Sequence, residues 1–177
     1  MNYVYIATSL DGFIATPDGG VDWLDEIPNP DQSDFGYAEF IKHIDAIVMG
    51  RNSFEKVLTF GVWPYEKPVF VLSNCLKNVP EELVDSAEIL SGHTPRTLIN
   101  YLDGRGYHNL YIDGGHTVQT FLADDLIDEM TITRVPILLG EGIPLFDKLA
   151  TQLEFQHQKT ELFNNALVKS TYSRIRG

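Results

Sequence analysis

Apolar positions recur along the chain in two alternating periods, and they read as strands followed by helices. Residues Tyr3 to Thr8 are β-branched and aromatic, and they run into the turn-rich Asp11-Gly12 and Pro17-Asp18-Gly19-Gly20, a strand and then a long loop. From Ser33 to Ile44 the residues Tyr37, Phe40, Ile41 and Ile44 fall at i, i+3, i+4 and i+7. That spacing predicts a helix with Ser33 as N-cap and Asp34 in its first turn. Ala46 to Met49 form a strand that ends at Gly50-Arg51, after which Phe54, Val57 and Leu58 resume helical spacing. Pro68 to Leu72 is a buried strand, and Thr94-Pro95 opens a helix carrying Leu98, Ile99 and Leu102. Leu110 to Ile112 reaches Asp113-Gly114-Gly115, and Val118, Phe121 and Leu122 mark one more helix. After Asp128 the pattern changes to strands alone: Met130 to Val135, Leu153 to Gln158 and Leu167 to Ile175, the last two joined through Asn164-Asn165. The sum is a single α/β domain over residues 1–177, with a mostly parallel central sheet and an antiparallel C-terminal hairpin.

Composition narrows the function. A 177-residue chain with 44% hydrophobic and 21% charged residues is long enough to bury a core without a metal or disulfide staple. Its formal net charge of −12 opposes nucleic acid and anionic membrane as partners. Cys75 is the single cysteine, so no intrachain disulfide forms, and a reducing cytoplasm is expected. No run approaches the ~18 apolar residues of a membrane span, and residues 1–20 have no basic n-region of a signal peptide. The five histidines form no His-x-His or His-x-x-x-His pair, and no metal site is expected.

Chemistry in such a sheet belongs at the carboxyl ends of its strands, where glycine turns and helix N-termini receive phosphate. Two turns have that form, Met49-Gly50-Arg51-Asn52-Ser53 and Asp113-Gly114-Gly115-His116-Thr117. Neither is the Gly-x-Gly-x-x-Gly fingerprint, and there is no Walker A sequence.

As an ordered set the motifs resemble the dihydrofolate reductase superfamily, and more closely the reductase domain of bacterial bifunctional riboflavin deaminase-reductases. Ala7 to Ala15 is similar to the first strand and active-site loop, and Gly20-Val21-Asp22-Trp23-Leu24 to the end of that loop. Asp45 to Arg51 with Ser53 resembles the Met-Gly-Arg-x-Thr cofactor motif, and Val71-Leu72-Ser73-Asn74 the strand end at the adenosine phosphate. Ile112 to Gly115 resembles the pyrophosphate turn. Leu126 to Glu129, Pro136 to Gly140 and Leu145-Phe146 are similar to the riboflavin-type branch. Since the motifs start at residue 3 and zinc-site cysteines are absent, the reductase unit alone is expected.

The resemblance implies a three-layer dihydrofolate reductase-like fold, NADPH as cofactor and a homodimer. It implies hydride transfer to a pteridine-like or ribosylaminopyrimidine-like substrate, with dihydrofolate reduction or a non-catalytic NADPH-binding module as alternatives. The cofactor residues it implies are Ala7, Ile14, Gly50, Arg51, Ser53, Leu72, Ser73, Asn74, Gly114, Gly115, His116 and Thr117. The Arg51 fork suits a 2′-phosphate, with a surface ion pair as the lesser alternative. His116 stands where dihydrofolate reductases often carry arginine. Asp34 is the expected catalytic and substrate-binding acid, since its separation from the Met-Gly-Arg motif matches that of the pterin-binding acid. A carboxylate in a first helical turn also serves the helix dipole alone. Thr133 is implied beside that acid, and Trp23 either covers the substrate ring or anchors its loop. The loop around Asp34 departs from the Leu-Pro-Trp pattern of dihydrofolate reductases, and the stretch Lys77 to Arg105 offers few cations for a phosphoribosyl group.

Overall fold

A computed structural model describes residues 1–164 and 166–176. The strands are β1 (Asn2–Thr8), β2 (Phe13–Ala15), β3 (Ala46–Gly50), β4 (Val69–Leu72), β5 (Ala87–Leu90), β6 (Leu110–Asp113), β7 (Glu129–Arg134), β8 (Ile143–Pro144), β9 (Phe155–Phe163) and β10 (Leu167–Arg174). The helices are α1 (Tyr37–Lys42), α2 (Arg51–Leu58), α3 (Pro95–Asp103) and α4 (Gly115–Ala123). Eight strands form one sheet in the order β5-β4-β3-β6-β1-β7-β10-β9. From β5 to β7 every pairing is parallel, and β10 and β9 close the sheet antiparallel, as the pattern predicts.

Strands buried on both faces need no polar alternation, which is why the central ones read as continuous apolar runs. On β3, Ala46 and Val48 face one layer and Ile47 and Met49 the other. The first layer holds α3 and α4 through Leu98, Leu102, Val118 and Phe121. The second holds α1 and α2 through Tyr37, Phe40, Ile41 and Phe54. A smaller cluster of Trp23, Val135 and Leu167, with Ala7 and Phe35 against it, closes the far end of the sheet.

The first helix is shorter than its periodicity predicts. It starts at Tyr37 because Phe35 (φ 54°) and Gly36 (φ 91°) are left-handed, a backbone state that cannot propagate a right-handed helix. Ser33 therefore caps no helix; its Oγ accepts from the Phe35 amide at 3.0 Å. Ile44 still reaches the core beyond the helix end. Strand β5 and the small β2–β8 pair carry no sequence signal strong enough to separate them from loop. At the C-terminal hairpin Asn164 is left-handed (φ 52°), and Asn165 of the expected joint lies outside the described residues.

Candidate active site

The parallel strands bring their carboxyl ends to one side of the molecule, and the glycine turns after β3 and β6 meet there. A Cβ on Gly114 would clash with Ser53 Oγ, and one on Gly50 would lie 3.0 Å from Thr117 Oγ1. One on Gly115 would strike Ile14 Cδ1 at 2.7 Å. Gly114 also has φ 86°, so only glycine fits there without strain. Gly50, Ser53, Gly114, Gly115, Thr117 and Ile14 are thus one contact group.

This packing sets the N-termini of α2 and α4 side by side. Among the described residues neither has a side-chain cap or an acidic residue in its first turn, although the Gly114 amide just before α4 donates to Asp113 Oδ1. By contrast α3 is closed by a reciprocal Thr94–Thr97 capping box. Free amides and two aligned helix dipoles suit an anion. Arg51 opens α2, is exposed, and reaches Glu55 Oε1 at 3.4 Å along its own helix. His116 is exposed at the start of α4. Beyond β4, buried Ser73 spends its Oγ on the Cys75 and Leu76 amides (3.1 and 3.0 Å), while Asn74 Oδ1 holds the Gly92 amide at 3.0 Å. Leu72, Ser73 and Asn74 shape this edge; the two polar side chains are already engaged in turns.

The acid positions differ from expectation. Asp34 precedes α1 rather than lying in its first turn, is exposed, and accepts from the Gly36 and Ala38 amides at 2.9 and 2.7 Å. Those backbone bonds, Ala38 first, hold its carboxyl below the usual range, so Asp34 is an ionised cap and a poor proton donor. The neighbouring Phe35 carbonyl takes two donors, Tyr5 Oη and Lys169 Nζ, each at 2.8 Å. Lys169 is buried, pairs with Glu161 at 3.1 Å, and lies beside Thr133, which in turn pairs with Ala7. Trp23 is buried against this end of the sheet, and its indole N–H has no partner among the described residues.

A second carboxyl, quoted above only as part of a glycine turn, has the environment that Asp34 lacks. Asp113 ends β6, where Oδ1 accepts from the Gly114 amide at 2.9 Å and lies 3.3 Å from Tyr111 Oη. Among the described residues nothing donates to Oδ2. Burial raises its pKa against those bonds, and no basic group is among the causes. Burial and Asp113 together push the Tyr37 phenol up to about 12, and they raise Tyr65 and Tyr111 as well. Trp63 stacks edgewise on Tyr65 and Phe54, its indole N–H buried without an acceptor among the described residues. The sequence signal was a charged residue two places after core Tyr111 on a strand that is otherwise apolar.

The loop over this end is fixed from both sides. Asp11 accepts from the Leu139 and Gly140 amides (3.2 and 2.8 Å) and from Ser9 Oγ (2.6 Å), joining the loop after β1 to the one after β7. Two surface hollows lie elsewhere. One of about 490 Å³, lined by Met1, Asn2, Arg96 and Asp128, is at the amino ends of the strands, and one of about 650 Å³ lies beside Lys77 and Val84. Among the described residues no helix is long and apolar enough to cross a membrane, and no three His, Cys, Asp or Glu stand together as metal ligands.

Solved structures share this fold. A Shewanella sp. PV-4 protein provisionally assigned to riboflavin biosynthesis is 48% identical over 99% of each chain, with a TM-score of 0.94. The deaminase and 5-amino-6-(5-phosphoribosylamino)uracil reductase of Thermotoga maritima superimposes with a TM-score of 0.75 at 15% identity, over 99% of this chain and 56% of that one. Dihydrofolate reductase of Enterococcus faecalis, solved with NADP(H) and RAB-propyl, does so at 0.69 and 18%, over 98% and 96%. These likenesses establish the dihydrofolate reductase-like fold. The family model of the RibD C-terminal domain matches residues 3–169, and the chain belongs to that family.

Proposed function

We propose that the protein is an NADPH-dependent reductase acting on a C=N or carbonyl group of a pteridine-like or ribosylaminopyrimidine-like heterocycle. The observation that carries this is the pair of helix N-termini, without side-chain caps or first-turn acids among the described residues and with Asp113 standing just before α4, packed edge to edge through Gly50, Ser53, Gly114 and Thr117. That cradle fits a pyrophosphate, with Arg51 free to exchange Glu55 for a 2′-phosphate. Membership of a reductase-domain family supports oxidoreductase chemistry.

Bound NADPH supplies hydride to the electrophilic carbon, and the adjoining nitrogen or oxygen gains one proton. Asp113 is the donor in this reading: burial favours its neutral form, the Gly114 amide orients Oδ1, and Oδ2 is free to carry the proton. Asp34 shapes the rim by holding the start of α1, and Trp23 and Thr133 line the end of the sheet beside it. A cytoplasmic location belongs to the same proposal. So does a homodimer through the C-terminal strands, where exposed Leu162 and Val168 stand directly opposite each other.

The test is a titration with NADPH and NADH, followed by turnover of dihydrofolate, pterins and 5-amino-6-(5-phosphoribosylamino)uracil. NADPH binding with NADPH consumption supports the reading, and binding without turnover leaves a cofactor-binding module. Arg51→Ala should weaken NADPH about tenfold or more, since a charge-assisted bond is worth about 1.5–3 kcal/mol, and should leave NADH nearly unchanged. Equal losses would remove Arg51 from the phosphate.

A further inference from the structure

We infer that Lys169 is a positioning residue of this site: it holds the left-handed Phe35–Gly36 turn, and through that turn it sets the affinity for the heterocycle and not for the cofactor. The inference rests on the reductase reading above. Lys169 lies on β10 opposite Thr133 of β7 and Glu161 of β9, with a side chain only 6% exposed. An apolar residue of the same length would fill that place without taking a charge out of water. What the amine does there is shown by its contacts.

Lys169 Nζ donates to the Phe35 carbonyl at 2.8 Å, pairs with Glu161 at 3.1 Å and lies over the Phe163 ring at 4.9 Å. Tyr5 Oη donates to the same carbonyl, also at 2.8 Å, so both of its lone pairs are used. These donors hold Phe35 at φ 54°, a state that a non-glycine residue keeps only where its surroundings impose it. Gly36 follows at φ 91°, and a Cβ there would meet Lys169 Nζ at 2.7 Å, so the glycine makes room for the bond. The Phe35 ring meets Phe163 edgewise at 5.4 Å, and Asn164 Nδ2 donates to the Pro28 carbonyl at 3.3 Å. The stretch that carries Asp34 is thereby tied to the β9–β10 hairpin.

The turn governs the rim and not the cradle. Asp34 accepts from the Gly36 and Ala38 amides across it, and Tyr37 then opens α1 with its ring 5.9 Å from that of Tyr5. The cofactor cradle stands at the ends of β3 and β6, whereas Lys169 is on β10, with β1 and β7 between. Neighbouring strands are about 4.8 Å apart, which puts β10 on the order of 14 Å from β6. Loosening the turn moves Asp34 and the start of α1 and leaves the glycine turns in place.

Lys169→Met keeps the stem over Phe163 and removes the bond to Phe35. The experiment measures kcat and KM with dihydrofolate and with 5-amino-6-(5-phosphoribosylamino)uracil, NADPH affinity by nicotinamide fluorescence, and hydrogen exchange at the Gly36 and Ala38 amides. KM for the compound that is reduced should rise about tenfold or more, with NADPH affinity unchanged and both amides exchanging faster. A merely structural loss would lower kcat by removing folded protein and leave KM where it was. Glu161→Gln spares the Phe35 bond and should hold KM within about twofold, since Glu161 is a partly exposed partner. Gly36→Ala displaces Nζ without removing it, should raise KM likewise, and decides the matter if Lys169→Met does not fold. An unchanged KM, or an NADPH affinity that falls by the same factor, overturns the inference. If neither compound is reduced, the reductase reading fails instead. Amide exchange then judges the turn by itself: faster rates in Lys169→Met uphold Lys169 as its anchor, and unchanged rates overturn it.

Discussion

At the residue scale the molecule separates two carboxylates by environment. Asp34 is exposed and satisfied by two amides, so it stays ionised; Asp113 is held among phenols, so its neutral form is favoured. Asp113→Asn keeps the shape and removes the proton. Turnover should fall by about 10²–10⁴-fold, the usual worth of a general acid, while NADPH affinity holds. The same substitution should stabilise the fold, with a pH dependence whose sign follows from linkage. In the folded state the pKa of Asp113 is raised. Below the ordinary carboxylate range both states are protonated and the group contributes nothing. As pH rises through that range the unfolded chain releases its proton first, so wild-type stability falls until the folded pKa is passed. The Tm advantage of Asp113→Asn should therefore open between acid and neutral pH. A constant difference would mean that burial does not hold the proton, and unchanged turnover would return the acid role to Asp34.

At the element scale, what the sequence reveals is what local chemistry decides. The helix at Thr94-Pro95 is readable because its capping box and proline lie within four residues, and the buried strands are readable because both faces are apolar. The start of α1 is not, since Phe35 and Gly36 are held left-handed by Tyr5 and Lys169, the second of them 134 residues away. Asp113 is legible as part of a glycine turn but not as an acid, because its environment includes Tyr37 on α1 and Tyr65 on the loop before β4 as well as Tyr111 on its own strand. The glycine turns themselves are legible, and their mutual contact is not. That contact gives a test confined to the turn: Gly114→Ala adds a Cβ onto Ser53 Oγ at a left-handed φ. It should cost about 1–3 kcal/mol of unfolding free energy, with loss of NADPH binding. Pairing it with Ser53→Ala, which removes the struck oxygen, should restore part of the stability and leave the φ strain. No gain from the double variant would mean that the two turns do not touch.

At the scale of the whole molecule, the cofactor cradle must work against its own protein. A net charge of −12 surrounds a site proposed for a polyanion, and the attraction offered by the described residues is local, from two helix N-termini and Arg51. Local hydrogen bonds act at contact, whereas the field of the surface acts over a Debye length, about 30 Å at 0.01 M salt and about 10 Å at 0.1 M. Adding salt therefore removes the repulsion felt on approach before it weakens the grip on the bound cofactor. The association rate of NADPH should rise with ionic strength over this range while the dissociation rate stays nearly constant, which stopped-flow nicotinamide fluorescence resolves. NADH, with one phosphate fewer, should show the same sign and a shallower slope. A basic cleft behaves the opposite way, with association slowed by salt. If NADPH association slows, the local positive potential extends past the surface charge, and the acidic shell has no part in selecting what enters.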